Sequence, residues 1–289
     1  MDRECSARAD RWLRQQTDWS EPQREAVALL APTLVEHLPR ERPWLLGIGG
    51  APGTGKSTLA RLLAHLAPTT NARKPVVLSL DDYYLSRQAR ADLAAEIHPL
   101  LAHRGVPGTH DVNRMFHDLD VLLQGSSPRV ETPRFDKGSD DRLPETRTIA
   151  TGEQPGGVIL EGWFLGLGPE ADGNLVTAIS DFEASEDPEG EWRVWVNHAL
   201  ADFHRRFSNR ATAHWLLRPP DWDTVAAWRW RQEQELPTHR RLLQDLEAVH
   251  RFLQPFERLV RHQLATGNEH ADLVLQLDRR HRPHLQSRP

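Results

Sequence analysis

The most definite chemistry in this chain lies in a glycine-rich run closed by a lysine and a serine. Gly50-Ala51-Pro52-Gly53-Thr54-Gly55-Lys56-Ser57 has the spacing G-x-x-x-x-G-K-[ST], and Thr58 follows it. Glycines so placed let backbone N–H groups turn inward around a polyphosphate, and a following helix directs its positive dipole end at the same anion. Lys56 can then reach the β- and γ-phosphates, and the Ser57 hydroxyl can join a Mg²⁺ shell. Two acids can complete a phosphoryl-transfer site. Asp81-Asp82-Tyr83-Tyr84 begins where the apolar run 76–80 ends. A carboxylate there can accept the proton of an attacking hydroxyl. Asp81 is the candidate base, and Asp82 is assigned to helix capping or to support behind it. Glu161-Gly162 follows the run 158–160. An acid at that point organises the metal in phosphate-loop proteins, so Ser57 and Glu161 are the candidate Mg²⁺ residues.

Such residues need a frame that brings strand ends together. The run 44–48 enters the loop, and the helix after it places Leu59, Leu62, Leu63 and Leu66 on one face. Runs at 76–80, 158–160, 213–217 and 273–277 are short and almost wholly apolar, the type buried in a parallel sheet. Helical patterns lie between them, near 115–124, 194–206, 222–235 and 240–264. The alternation predicts an α/β fold: a doubly wound parallel sheet with helices on both faces, whose ligand sits at the carboxyl ends of the strands. Residues 1–40 are expected to form a helical extension of one domain spanning 1–289. Within it, Ser20-Glu21-Pro22-Gln23 opens a helix, with Gln23 reaching back to Ser20. Ala26, Leu29, Leu30, Leu34 and Leu38 are expected to continue as its buried stripe, with a kink at Pro32. The stretch 125–156 is long for a bare connection, which favours a functional role. The acidic run 180–191 reads as a solvated loop.

Composition narrows the function. The 289 residues carry 36 Lys+Arg against 41 Asp+Glu, a net charge of −5, which argues against a nucleic-acid or anionic-membrane binder. Cys5 is the only cysteine, so neither an intrachain disulfide nor a thiolate metal cluster can form. No apolar stretch approaches a membrane span, and the first twenty residues lack the apolar core of a secretory signal. A cytoplasmic protein is expected. The fifteen histidines show no H-E-x-x-H or similar spacing. Arg279-Arg280-His281-Arg282 reads as a solvated tail, and Trp215 and Phe252 as core.

The loop, the L-D-D-Y-Y segment and I-L-E-G together resemble the phosphoribulokinase, uridine kinase and pantothenate kinase group of P-loop kinases. Within that group the chain is similar to the D-glycerate 3-kinases of plants and their bacterial relatives. The resemblance rests on Arg104-Gly105-Val106-Pro107-Gly108-Thr109-His110-Asp111, on Pro133-Arg134-Phe135-Asp136-Lys137 with Asp141-Arg142, and on Glu161-Gly162-Trp163-Phe164-Leu165-Gly166. Val196-Asn197, Trp228-Arg229 and Ala271-Asp272 extend it over about residues 44–278. It implies ATP and Mg²⁺ as cofactors and a small-molecule acceptor, with Asp81 as catalytic base and Lys56 and Ser57 on phosphates and metal. It also implies an acceptor region over 81–145, including Tyr83, His110, Asp111 and Lys137, with Arg104 and Arg142. A small hydroxy acid would need such cations for its carboxylate. The segment 222–241 takes the place of the lid, and Arg229 matches the family's W-R better than Arg231 does. Two features depart from the pattern: Gly138 stands where the family has Ser, and 236–241 do not reproduce its longer loop. D-Glycerate is the expected acceptor, with pantothenate or a nucleoside such as uridine as the alternative. A nucleotide-hydrolysing switch is the reading from another class, though no N-K-x-D segment for guanine is present.

Overall fold

The computed structural model describes residues 2–16, 19–41, 43–68, 74–150, 156–235, 243, 245–267 and 269–286. Two helices come first, α1 (Asp2–Gln16) and α2 (Glu21–Glu36). Strand β1 (Leu45–Gly49) runs into the glycine-rich loop and then α3 (Lys56–Leu66). Strand β2 (Val76–Ser79) passes through a 3-10 turn at Leu80–Tyr83 to α4 (Arg87–Glu96) and α5 (Val112–Gln124). Four short strands follow: β3 (Arg129–Thr132), β4 (Phe135–Asp136), β5 (Asp141–Arg142) and β6 (Arg147–Ala150). Next come β7 (Val158–Glu161), α6 (Asp181–Glu186) and α7 (Glu191–Ser208). The chain closes with β8 (Ala213–Arg218), α8 (Trp222–Glu235), α9 (Leu246–Leu253), α10 (Glu257–Thr266), β9 (Leu273–Leu277) and β10 (Pro283–Leu285).

The central sheet has the order β2-β7-β1-β8-β9-β10, parallel except for the antiparallel edge strand β10. Every residue of β1 is buried, because helices cover both faces and the strand has no solvated side. Alternate side chains feed two cores. Leu45, Leu78, Val158 and Leu160 join the α5 and α7 side, while Leu46, Ile48, Ile159, Trp215 and Leu217 pack towards α3. Register then fixes the site. Ile48 and Ser79 both pair with Glu161, so the exits of β1, β2 and β7 lie level at one edge.

The N-terminal helices dock on α3 through Ala9, Leu13, Val27, Ala28, Ala31, Leu62 and Leu66. The Gln23 Oε1 atom accepts from the Ser20 amide at 2.9 Å, as the capping pattern requires. Of the stripe expected on α2, Leu34 and Leu38 are buried, but Leu29 is 75% exposed, and the helix runs on through Pro32. The small residues Ala28 and Ala31 face inward instead and admit close helix packing.

Two further expectations change. The acidic run at 180–191 is not simply a solvated loop, since it contains α6 and buries Glu183 and Asp187. Glu183 pairs with Arg258 at 2.7 Å and Asp187 with Arg193 at 3.0 Å, the partners that buried charge demands. The late helix expected over 240–264 is two helices, α9 and α10, with a 3-10 turn at Gln254–Phe256 between them. Pro255 lacks the N–H that a continuous helix would use. Residues 236–242 and 244 lie outside the described residues, and with them the end of the segment 222–241.

Candidate active site

Gly55 sits at φ +89°, a conformation costly for any side chain, and starts α3 with no side-chain cap on its first turn. The opening amides of α3 therefore face the loop's interior, the arrangement that binds an anion. Gly50, Ala51 and Thr54 shape the loop from behind: Ala51 is fully buried, and Thr54 Oγ1 donates to its carbonyl at 2.9 Å. The buried Lys56 Nζ donates to the same carbonyl at 3.0 Å. Burial pulls the Lys56 ammonium below its ordinary pKa, opposed by the fields of Glu161 and Asp81. Ser57 Oγ donates to Glu161 Oε1 at 2.9 Å, which brings the hydroxyl and carboxylate expected for Mg²⁺ into direct contact. An uncapped helix start, a buried ammonium and this oxygen pair fit a triphosphate with its metal ion. Gly162, next in chain, allows a tight exit from β7: a Cβ there would lie 2.7 Å from Leu80 Cβ.

A cavity of about 380 Å³ opens in front of the loop. Pro52, Gly53, Gly55, Lys56, Ser57, Thr58 and Glu161 line one side, and Asp81, Tyr84, Arg104, Lys137 and Arg229 another. Lys137 Nζ donates to Asp81 Oδ2 at 2.6 Å, and the Tyr84 hydroxyl donates to Asp81 Oδ1 at 3.3 Å. Burial by itself would push the Asp81 carboxyl up. The Lys137 ammonium and its hydrogen bond, with weaker fields from His110 and Lys56, outweigh this and hold it below the ordinary carboxylate value.

Lys137 reaches Asp81 from the β4–β5 hairpin, part of the long stretch that interrupted the sequence pattern. Its neighbour Asp140 pairs with the fully buried Arg90 at 3.0 Å and also with Arg104, so two arginines clamp the turn. Both guanidinium groups lie over the Phe135 ring, at 5.7 and 5.5 Å. Asp82 does not cap α4, whose cap is Ser86; burial pushes the Asp82 carboxyl up, opposed by the Phe135 backbone of the same hairpin. Arg229, on α8, pairs with the buried Glu233, and its guanidinium lies 5.6 Å from the Phe252 ring. Arg231 lines a different cavity.

Tyr83, His110, Asp111 and Arg142 are not among the lining residues of this cavity. Tyr83 donates to the buried Asp118 at 3.1 Å, since successive residues of a 3-10 turn point in different directions. His110 is buried behind Tyr84, with ring centroids 4.3 Å apart. Burial takes its imidazole down to about 3, and neither ring nitrogen has a partner among the described residues. Asp111 caps α5 through the Arg114 amide and pairs with Arg142 at 3.0 Å. Arg142 Nε also donates to the Tyr84 carbonyl at 2.7 Å, so these three residues brace the turn that carries Asp81.

Tyr84, Trp163, Gln232, Leu243 and Phe256 line the cavity without having been named as site residues, and Phe252, expected as core, lines it too. Position offered one usable signal, since Tyr84 adjoins Tyr83 in the segment that begins with Asp81. The aromatic residues look like core in sequence because most of each ring is core. The basic run at 279–282 is more than a tail: His281 stacks on Trp228 at 3.5 Å and its Nε2 lies 3.0 Å from the Gly53 carbonyl. Among the described residues no helix is long and apolar enough to cross a membrane.

No family model matches the chain. It is 35% identical over 204 residues to an uncharacterized kinase, mug58, of Schizosaccharomyces pombe, covering 68% of this chain and 72% of that protein. The chloroplastic D-glycerate 3-kinase of Arabidopsis thaliana is 30% identical over 200 residues, 66% of this chain but only 41% of the plant protein. The solved structure of the YGR205w protein superposes with a TM-score of 0.70 at 24% identity, covering 93% of this chain and 99% of that one, a likeness of fold. With a phosphate loop, two strand-end acids and this sheet order in hand, the overlap with the S. pombe protein places the chain among the P-loop small-molecule kinases, with similarity to a D-glycerate 3-kinase over 200 residues.

Proposed function

We propose that the protein transfers the γ-phosphoryl group of ATP to a hydroxyl of D-glycerate, giving 3-phosphoglycerate. The observation that carries this reading is the Lys137–Asp81 pair at 2.6 Å, across the cavity from the phosphate loop. It sets a carboxylate base beside a cation on a hairpin, with Arg104 close by. A hydroxy acid matches both groups: its hydroxyl faces Asp81, and its carboxylate draws Lys137 away from Asp81 and onto itself.

The triphosphate lies on Gly50–Thr58, with Lys56 leaving the Ala51 carbonyl for the β- and γ-oxygens. Ser57 and Glu161 would hold the Mg²⁺ ion, whose charge would offset that of the phosphates. As the new O–P bond forms and the bond to the ADP oxygen breaks, the hydroxyl proton passes to Asp81. Arg229 turns from Glu233 towards the transferring group and, with α8 as lid, helps exclude water. The chain supplies alignment and charge more than covalent help, because the transition state is loose.

Incubating the protein with Mg·ATP and D-glycerate, pantothenate or uridine in turn, and following ADP, tests the acceptor. Phosphorus NMR of the product then fixes the hydroxyl used. D-Glycerate should give the highest kcat/KM. Pantothenate or uridine leading the panel would replace the acceptor, and ADP release indifferent to all three would remove the kinase reading.

A further inference from the structure

A second cavity, of about 280 Å³, lies on the other flank of the phosphate loop and shares Gly53, Gly55, Thr58 and Gln232 with the first. Its walls come from three parts of the chain: Trp19 in the N-terminal extension, Trp228 and Arg231 on α8, and His281 after β9. Trp228 is buried with a face against His281, whereas Trp19 is only half-buried. The Trp19 ring presses on the loop itself: a Cβ on Gly55 would lie 3.1 Å from its Cζ2. It is held there from behind, by packing on the α1–α2–α3 cluster and by Arg24 Nη1 donating to its carbonyl at 2.5 Å. An indole fixed at the mouth of a phosphate loop, with amide side chains such as Gln232 beside it, suits a flat heteroaromatic base. Stacking supplies affinity, and amides can read the base edge.

We propose that the N-terminal extension is part of the nucleotide site, with Trp19 providing the face on which the purine of the bound nucleoside triphosphate stacks. The proposal rests on the ATP reading above and deepens it. Docking of α1 and α2 and affinity for nucleotide become linked, because a ligand that touches the docked extension stabilises it.

Calorimetric titration with Mg·ATP and with Mg·tripolyphosphate separates base from phosphates, using the native chain, Trp19→Ala and Trp19→Phe without acceptor. Trp19→Ala should weaken ATP about tenfold, within the range of one base–aromatic stack, and leave tripolyphosphate within about twofold. Trp19→Phe, which keeps an aromatic face, should hold ATP within about threefold of native. Equal losses for both ligands would make Trp19 a prop for the loop and overturn the proposal, as would unchanged ATP affinity in Trp19→Ala. Native protein that binds tripolyphosphate as tightly as ATP also overturns it while sparing the phosphate cradle. Binding of neither ligand brings down the nucleotide reading and this proposal with it.

Discussion

On the nucleotide flank of the first cavity, the polar groups come from the consecutive residues 50–58 plus Glu161, fixed by paired strands at the middle of the sheet. On the acceptor flank, Asp81, Arg104, Lys137 and Arg229 arrive from four separate segments and are held mainly by ion pairs. The exposure differs in the same sense: Lys56 is buried, while the Lys137 side chain is 59% exposed. A backbone cradle set by sheet register leaves little freedom to vary. Side chains on a hairpin and a helix can change one at a time, so the acceptor flank is where specificity can shift while phosphate binding stays constant.

The sharpest contrast should come from one substitution on each flank. Asp81→Asn should lower kcat by about 10²–10⁴-fold, the usual weight of a general base, and leave the Kd for Mg·ATP nearly native. Lys56→Ala should cost about 10²–10³-fold in kcat and weaken ATP as well, since it removes phosphate charge and positioning together. Full-rate turnover by Asp81→Asn would show that another group takes the proton. Native ATP affinity in Lys56→Ala would break the division between flanks.

A smaller effect should follow from loosening the hairpin. Asp140→Ala leaves the fully buried Arg90 without its carboxylate partner, which should cost about 1–3 kcal/mol of stability by thermal melting. Lys137 then loses its fixed position, so KM for the acceptor should rise about tenfold with KM for ATP unchanged. A parallel rise in both constants would mean that the clamp also supports the loop.

The difference between the flanks also explains what could be read from the residues alone. The loop, the strand end that carries Glu161 and the run of buried parallel strands were legible because they follow from local patterns: glycine spacing, wholly apolar runs and strand–helix alternation. Leu59, Leu62, Leu63 and Leu66 are buried as their spacing indicated. The acceptor flank was legible chiefly through resemblance, since no local signal links residues 81, 104, 137 and 229. Strands of two to four residues, such as β3–β6 and β4–β5, are too short to carry a visible periodicity. Leu29 was placed inward on hydrophobicity, yet α2 turns small residues to its neighbours and leaves Leu29 in solvent. The C-terminal basic run hid His281, whose role depends on a turn that brings it back to Gly53.

The mildest test concerns charge alone. Asp81 lies in surroundings that would raise its pKa, and the Lys137 ammonium is the strongest influence in the other direction. His110 also lowers it, but an imidazole taken down to about 3 carries no charge at working pH. In the native protein Asp81 therefore stays ionised below the ordinary carboxylate range, and its pairing energy is lost only as pH falls through that depressed value. Lys137→Met removes the ammonium and its hydrogen bond, leaving the charge of Lys56 to oppose burial. The acid limb of the kcat/KM profile should move to higher pH, while Lys137→Arg, which keeps the charge, should leave it near native. A limb that stayed fixed in Lys137→Met, or moved to lower pH, would mean that the group titrating in catalysis is not the carboxylate facing Lys137.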